Sequence, residues 1–173
     1  MVTTTLTVSD KGGVGKSLCA ALLASFYTER NETWPRVVEM DQPRLGRVLG
    51  EDVVHRSLPP AEEPETLIKD PERVYHAFNR LYDEIAAGPA VVDLGANLLS
   101  PLVSWAGTSA IPTVCAHEAI EPLFVLVASP DPEALTSALN GYQALYACFG
   151  GVARYAFVLN DTSGAGFDQF KAL

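Results

Sequence analysis

Short apolar runs alternate along the chain with longer stretches in which apolar residues recur every three or four positions. The short runs predict strands at residues 4–9, 37–40, 90–94, 123–128 and 155–159. The runs at 90–94 and 123–128 lack polar alternation, which is typical of strands covered on both faces. Because strands alternate with helical stretches, we predict an α/β fold, a mostly parallel sheet with helices on both faces and right-handed crossovers.

The helical stretches carry their own signals. Apolar groups cover most of the surface of residues 17–30, which predicts a largely buried helix. A capping residue followed by proline predicts helix starts at 70–71, 100–101 and 131–132. The positions predicted to face the core are Val74, Phe78, Leu81 and Ile85 in the first of these helices, and Leu135, Leu139, Tyr142, Tyr146 and Phe149 in the last.

Composition and charge restrict the class of protein. The 173 residues are 48% hydrophobic, which suits a single domain, 1–173, with a real core. The net charge of -9 argues against a broad electrostatic grip on nucleic acid or on an anionic membrane. Cys19, Cys115 and Cys148 lie far apart, which argues against a disulfide framework or a zinc site. We therefore expect a cytoplasmic protein, and the sequence shows neither a signal peptide nor a membrane span.

A glycine-rich segment, residues 10–17, lies between the first predicted strand and the first predicted helix. Glycines let the backbone curl so that several N–H groups point at one anion, and the helix adds the positive end of its dipole. Lys16 is then placed to reach β- and γ-phosphates, and the hydroxyl of Ser17 to ligate Mg²⁺. The standard phosphate-loop pattern requires glycine where this chain has Asp10, so the segment is the variant KGGxGK[ST]. The residues expected to line the phosphates are Gly12, Gly13, Val14, Gly15, Lys16 and Ser17.

The segment KGGVGKS resembles the deviant Walker A motif of the ParA/MinD family of P-loop ATPases. The resemblance implies a P-loop NTPase fold that binds ATP or ADP with Mg²⁺. It also implies that Lys11, the first lysine of the motif, reaches across a nucleotide-sandwich homodimer to the other subunit's phosphates. Leu18 stands at a nucleotide-contacting position where the family usually has a second hydroxyl on the α-phosphate, and Asp10 adds a negative charge beside the phosphates.

Three further polar residues follow predicted strands, where ligands of parallel sheets bind. Asp41, in the segment EMDQP, resembles the family's acid that activates the attacking water and faces Mg²⁺; the alternative is a turn-forming aspartate before proline. Asp93 ends an apolar strand in the Walker B arrangement and is expected to hold Mg²⁺ through water; the alternative is a helix-capping acid. Asn160 either reads adenine, as in the family, or forms a simple Asx turn. Glu39 replaces the family's earlier aspartate in the segment around Asp41.

The resemblance implies a slow ATPase switch that binds ATP, dimerises, engages an unidentified protein partner and resets on hydrolysis. Partition, conjugative transfer and cellular positioning are functions of such proteins, and the phrases VVDLGAN and ALTSALNGYQAL resemble TraL-type mobilisation proteins. The alternatives are an amide-synthetase or dethiobiotin-synthetase type of enzyme, and an ATP-binding regulator with little turnover. Lys11 favours the switch, because a monomeric synthetase has no necessary role for it.

The C-terminal part of the sequence separates this chain from two groups within the family. Basic residues are scarce after position 98, which predicts weak DNA binding, unlike that of partition ATPases. The ending GFDQFKAL is not the basic amphipathic helix of the MinD relatives, so we expect no membrane binding. Residues 161–173 are fewer than the strand and helix usual after Asn160, which is the pattern of a C-terminally truncated form.

Overall fold

A computed structural model describes residues 2–31, 35–40, 45–50, 53–55, 71–161, 163–164 and 166–167. The strands in this part of the chain are β1 Val2–Val8, β2 Arg36–Glu39, β3 Val53–His55, β4 Ala90–Asp93, β5 Ile120–Ala128 and β6 Arg154–Leu159. The helices are α1 Lys16–Asn31, α2 Leu45–Leu49, α3 Pro71–Ala86, α4 Leu99–Thr108, α5 Ile111–His117 and α6 Pro132–Phe149, with a 3-10 turn at Gly150–Val152.

The described strands form one parallel sheet in the order β3-β2-β4-β1-β5-β6. β1 lies at the centre, because it pairs with β4 on one side and with β5 on the other. The register places Glu39 opposite Asp93 on the neighbouring strand, and Asp93 opposite Thr7. Three polar side chains are therefore brought together at the carboxyl edge of the sheet.

Helices cover both faces of the sheet, as the alternating apolar pattern predicts. The larger core packs α3, α4 and α6 against one face, including Leu6, Val92 and Phe124. The other face carries α1 and α2, which pack on Val37 and Val91. The predicted α/β fold is confirmed, and so is the buried face of α3, formed by Val74, Phe78, Leu81 and Ile85.

Helix α1 is less buried than its composition predicts. Ala20 and Ala24 are fully buried against the sheet. Leu18, Leu22 and Phe26, spaced one turn apart, are 59%, 62% and 52% exposed. The prediction of a largely buried helix is wrong because the small alanines, and not the large apolar side chains, make the close contact with the sheet.

Two other sequence-based predictions need correction. Helix α4 begins at Leu99 with Leu98 as its cap residue, so the predicted cap and start at 100–101 are two residues late. The side chain of Leu98 makes no capping hydrogen bond. Tyr146 of α6 is half exposed instead of lying in the core, although Leu135 and Phe149 of the predicted stripe are buried. Strand β3 and helix α5 are further elements that the apolar pattern did not predict. Asp70, the predicted cap of α3, lies outside the described residues.

Candidate functional site

The glycine-rich loop leaves the central strand β1 and enters α1 directly at Lys16. Gly13 and Gly15 adopt positive φ values of 79° and 96°, a backbone region that residues with a Cβ avoid. Val14, between them, is buried against Val125 and Val127 of β5. The loop therefore curls around a buried anchor and leaves Gly12 and Gly13 exposed to solvent.

Asn160 packs directly against this loop from the end of β6. Its side-chain amide Nδ2 donates a hydrogen bond to the Val14 carbonyl at 2.9 Å, and its backbone N–H donates to the Ala128 carbonyl at 2.8 Å. A Cβ built on Gly15 would collide with the same Nδ2. Asn160 thus braces the loop, a role that sequence reasoning missed; its predicted contact with adenine stays a prediction.

Asp93 lies under the start of α1 and is almost completely buried. Its carboxylate accepts hydrogen bonds from the hydroxyls of Ser17 and Thr7, the latter at 3.2 Å. Burial raises the pKa of Asp93, and the neighbouring charge of Glu39 acts in the same direction. The two hydroxyls and the charge of Lys16 oppose this shift. Any positive charge brought close to Asp93 therefore stabilises its ionised form.

Ser17 and Asp93 fit a magnesium ion, because their contacting hydroxyl and carboxylate are the hard oxygen ligands that Mg²⁺ prefers. Mg²⁺ keeps several waters and commonly takes only one or two protein ligands beside substrate phosphates. Within the described residues no group of three His, Cys, Asp or Glu side chains could hold a metal by itself. Asp41, the third predicted ligand and the predicted water-activating acid, lies outside the described residues.

The two lysines of the loop have different environments. Lys16 is buried, and its ammonium Nζ donates to the Lys11 carbonyl at 3.0 Å, so it folds back over its own loop. The Nζ of Lys11 lies 2.6 Å from Oε2 of Glu133, in the first turn of α6, and 3.3 Å from Oδ2 of Asp131, the cap residue of that helix. These two carboxylates raise the pKa of Lys11 through hydrogen bonds and charge.

Asp10 turns away from the centre of the loop. Its Oδ1 accepts a hydrogen bond from the backbone N–H of Leu99 at 3.2 Å, in the first turn of α4. A carboxylate at a helix N-terminus satisfies an unpaired donor and is favoured by the helix dipole. The acid that departs from the phosphate-loop pattern therefore caps α4, and this contact explains why Ser100 is not needed as the cap.

Two more predicted residues have clear positions. Leu18 follows Ser17 on the first turn of α1, and its side chain is exposed to solvent. Because leucine carries no hydroxyl, this side chain cannot donate a hydrogen bond to a nucleotide. Glu39 is buried at the end of β2, and its Oε1 accepts from the Leu45 N–H at 3.0 Å, at the start of α2. Sequence reasoning missed this contact, because Glu39 lies six residues before Leu45 and no local pattern joins them.

A groove of about 790 Å³ opens between α4 and α6 beside the loop. Asp10 and Glu133 lie at one end of it, and the remaining lining combines apolar side chains with hydroxyl and amide groups. Gly141 lets the helices approach closely, because a Cβ there would collide with Leu99. The groove therefore borders both loop contacts, those of Asp10 and Lys11.

A central parallel strand, a glycine-rich loop entering a helix, and an acid on the neighbouring strand define the P-loop NTPase fold. A plasmid partition protein from Borrelia burgdorferi has a similar structure, with a TM-score of 0.57 and 13% identity over 99% of this chain and 84% of that one. The signal recognition particle receptor FtsY from Elizabethkingia anophelis in complex with GDP is less similar, with a TM-score of 0.48 and 15% identity over 96% of this chain and 50% of that one. Thymidylate kinase from Ehrlichia chaffeensis has a TM-score of 0.47 and 10% identity over 98% of this chain and 95% of that one.

At these identities the similarity shows the fold and nothing finer. No family model and no curated protein sequence matches the chain. Among the described helices none is long and apolar enough to cross a membrane.

Proposed function

We propose that this chain binds Mg²⁺–ATP at the glycine-rich loop and acts as a slow, dimerising ATPase switch. The observation that carries the proposal is the contact between Ser17 and the buried Asp93 beneath a loop whose Gly13 and Gly15 have positive φ. Phosphates fit above such a loop because its N–H groups and the start of α1 present positive charge.

Each residue has a stated role in the proposal. Lys16 and the loop amides hold the β- and γ-phosphates, while Ser17 and Asp93 hold Mg²⁺, which neutralises charge on the phosphates. Asp41 orients or activates the attacking water. Lys11 reaches the phosphates of the second subunit. Asn160 keeps the loop in its curled shape through Val14.

Lys11 is the residue that makes dimerisation compatible with the charge of the nucleotide. Two polyphosphates facing each other across an interface repel, and charge-assisted contacts from Lys11 of each subunit offset that repulsion. The structural similarity to a plasmid partition protein supports partition as one setting for such a switch. Plasmid partition, conjugative transfer and cellular positioning remain the proposed settings, with an unidentified protein partner.

The decisive experiment is light scattering with and without Mg²⁺–ATP, combined with phosphate release. Asp41→Ala is expected to accumulate as an ATP-bound dimer because hydrolysis is slowed while binding is spared. Adding Lys11→Ala is expected to dissolve that dimer. An Asp41→Ala protein that is monomeric with ATP demonstrably bound contradicts the switch and favours a synthetase or a passive nucleotide binder.

A second candidate is an ATP-binding regulator with little turnover. The exposed apolar side chain of Leu18 favours it, because the hydroxyl that the family usually places there is missing. The two candidates differ in one measurement: a regulator binds nucleotide and changes oligomeric state without releasing phosphate at a measurable rate.

A further inference from the structure

Lys11 is engaged within its own chain. Its ammonium Nζ donates to Glu133 Oε2 at 2.6 Å and lies 3.3 Å from Asp131 Oδ2. Both acids belong to the start of α6, which is far from Lys11 in the sequence. We call Lys11, Asp131 and Glu133 the Lys11 cluster. The cluster joins the glycine-rich loop to α6 through charge.

Both sides of the cluster are fixed by other contacts. The backbone N–H of Lys11 donates to Ser9 Oγ at 3.3 Å, and its carbonyl accepts from Lys16 Nζ at 3.0 Å. On the other side, Asp131 caps α6 by accepting from the Glu133 N–H at 3.1 Å. Buried Ala134 and Leu135 then pin the first turn of the helix to the core. The cluster therefore joins two ordered segments.

We propose that Asp131 and Glu133 are positioning residues that hold Lys11 in its own subunit and so set the nucleotide and protein concentrations at which the chain dimerises. The inference rests on the proposed function, because it needs Lys11 to act across a dimer. The ammonium has three N–H donors, and within its own subunit it is directed at Glu133, 2.6 Å away, and at Asp131, 3.3 Å away. Each donor that points at these carboxylates is withdrawn from the partner's phosphates, so dimerisation competes with the cluster, and ATP must offer Lys11 a better set of oxygens than the two carboxylates do.

The size of the effect follows from exposure and symmetry. Lys11 and Glu133 are solvent-exposed, with side chains 39% and 80% accessible, so each cluster is a weak restraint. Exposed ion pairs are typically worth a factor of about 2 to 5 in an equilibrium constant. A symmetric dimer opens two clusters, so the factors multiply to about 4 to 25 in the dimerisation constant. Such a restraint shifts the protein concentration at half-dimerisation by the same factor.

The test variant is Asp131→Asn/Glu133→Gln in the full chain. Asparagine caps helices as well as aspartate, so α6 keeps its start while the negative charge is removed. A matched control is needed because the chain carries a net charge of -9, and any loss of two negative charges favours association. Glu29→Gln/Asp83→Asn is that control, since both residues are exposed and lie near the C-terminal ends of α1 and α3.

The first measurement uses the protein without nucleotide. Lysine amines are acylated at pH 8, and the rate at each site is read by mass spectrometry, with Lys69 and Lys171 as internal references. Lys11 is expected to react several-fold faster in the test variant than in the wild type or the control, because the carboxylates no longer favour its protonated form. Equal rates at Lys11 in all three proteins would show that the cluster does not hold it and would overturn the proposal.

The second measurement is the protein concentration at half-dimerisation with saturating Mg²⁺–ATP, by light scattering. The test variant is expected to dimerise at about 4- to 25-fold lower concentration than the control, and the difference is expected to shrink near 1 M salt, where the screening length is about 3 Å. If Lys11 reacts faster but dimerisation matches the control, the cluster exists without restraining Lys11, and the proposal fails while the switch stands. If ATP is bound and none of the proteins dimerises, the proposed function fails, and the inference fails with it.

Discussion

Gly15→Ala tests whether the curled loop and the brace from Asn160 depend on each other. The substitution adds one methyl group at a residue whose φ is 96° and whose Cβ would collide with Asn160 Nδ2. The change has two separable costs. Alanine at positive φ costs about 1–2 kcal/mol in backbone strain. Displacing Asn160 loses its hydrogen bond to the Val14 carbonyl, worth about 0.5–1.5 kcal/mol.

The two costs together lower the free energy of unfolding by about 1.5–3.5 kcal/mol. At about 2–4 °C per kcal/mol for a chain of this size, the melting temperature falls by about 3–14 °C. Gly12→Ala is the matched control within the same loop, because a Cβ there meets no atom within 4 Å and no positive φ is involved. Its effect is expected to stay within about 0.5 kcal/mol.

The assay is denaturant unfolding without nucleotide, arranged as a double-mutant cycle with Asn160→Ala. Once Asn160 is alanine, the collision is removed and the hydrogen bond is already lost, so Gly15→Ala adds only its backbone strain. The double variant should therefore be less destabilised than the sum of the single variants, by about 1 kcal/mol. Strict additivity, or a Gly15→Ala protein as stable as Gly12→Ala, would refute the proposed brace.

Three further predictions concern charged groups of the site. Lys16→Ala should abolish the stabilisation by Mg²⁺–ATP, which is about 2.7 kcal/mol at 100 times Kd; an undiminished thermal shift would remove the nucleotide site. Asp10→Ala should destabilise the protein by about 1 kcal/mol through loss of the α4 cap, whereas Asp10→Asn, which still accepts a hydrogen bond, should cost much less in urea unfolding. Asp93→Asn should stabilise the unliganded protein at neutral pH while removing the Mg²⁺-dependent part of nucleotide binding. Burial raises the pKa of Asp93, so wild-type stability should rise as the pH falls through that raised pKa, and this rise should be smaller in Asp93→Asn.

The sequence was most informative where the determinants are local. The glycine-rich loop, the α6 start at Asp131-Pro132 and the apolar strand ending at Asp93 were each predicted from a few consecutive residues. The structure has the predicted loop conformation between β1 and α1, and Asp131 accepts from the Glu133 N–H as a cap should. Capping, positive φ and strand burial depend on neighbours in the sequence, so a single chain is enough to detect them.

The contacts that could not be predicted join residues far apart. Nothing near Asp10 indicates that its carboxylate meets Leu99, and the first turn of α6 carries no sign that it holds Lys11. The error in α1 has a different origin. An apolar helix surface predicts burial, but it does not say whether alanine or leucine faces the sheet, since that depends on how closely the helix and strands approach.

Asp10, the residue at which the loop departs from the standard pattern, has a structural role. Asp10 places a carboxylate where the phosphate-loop pattern has glycine, and that charge would oppose phosphate if it pointed inward. It instead accepts from the N–H of Leu99, where the helix dipole of α4 favours it. Helix α4 begins six residues after Asp93, so one short segment connects the buried acid to the capped helix. Asp10 therefore connects the glycine-rich loop directly to the start of α4.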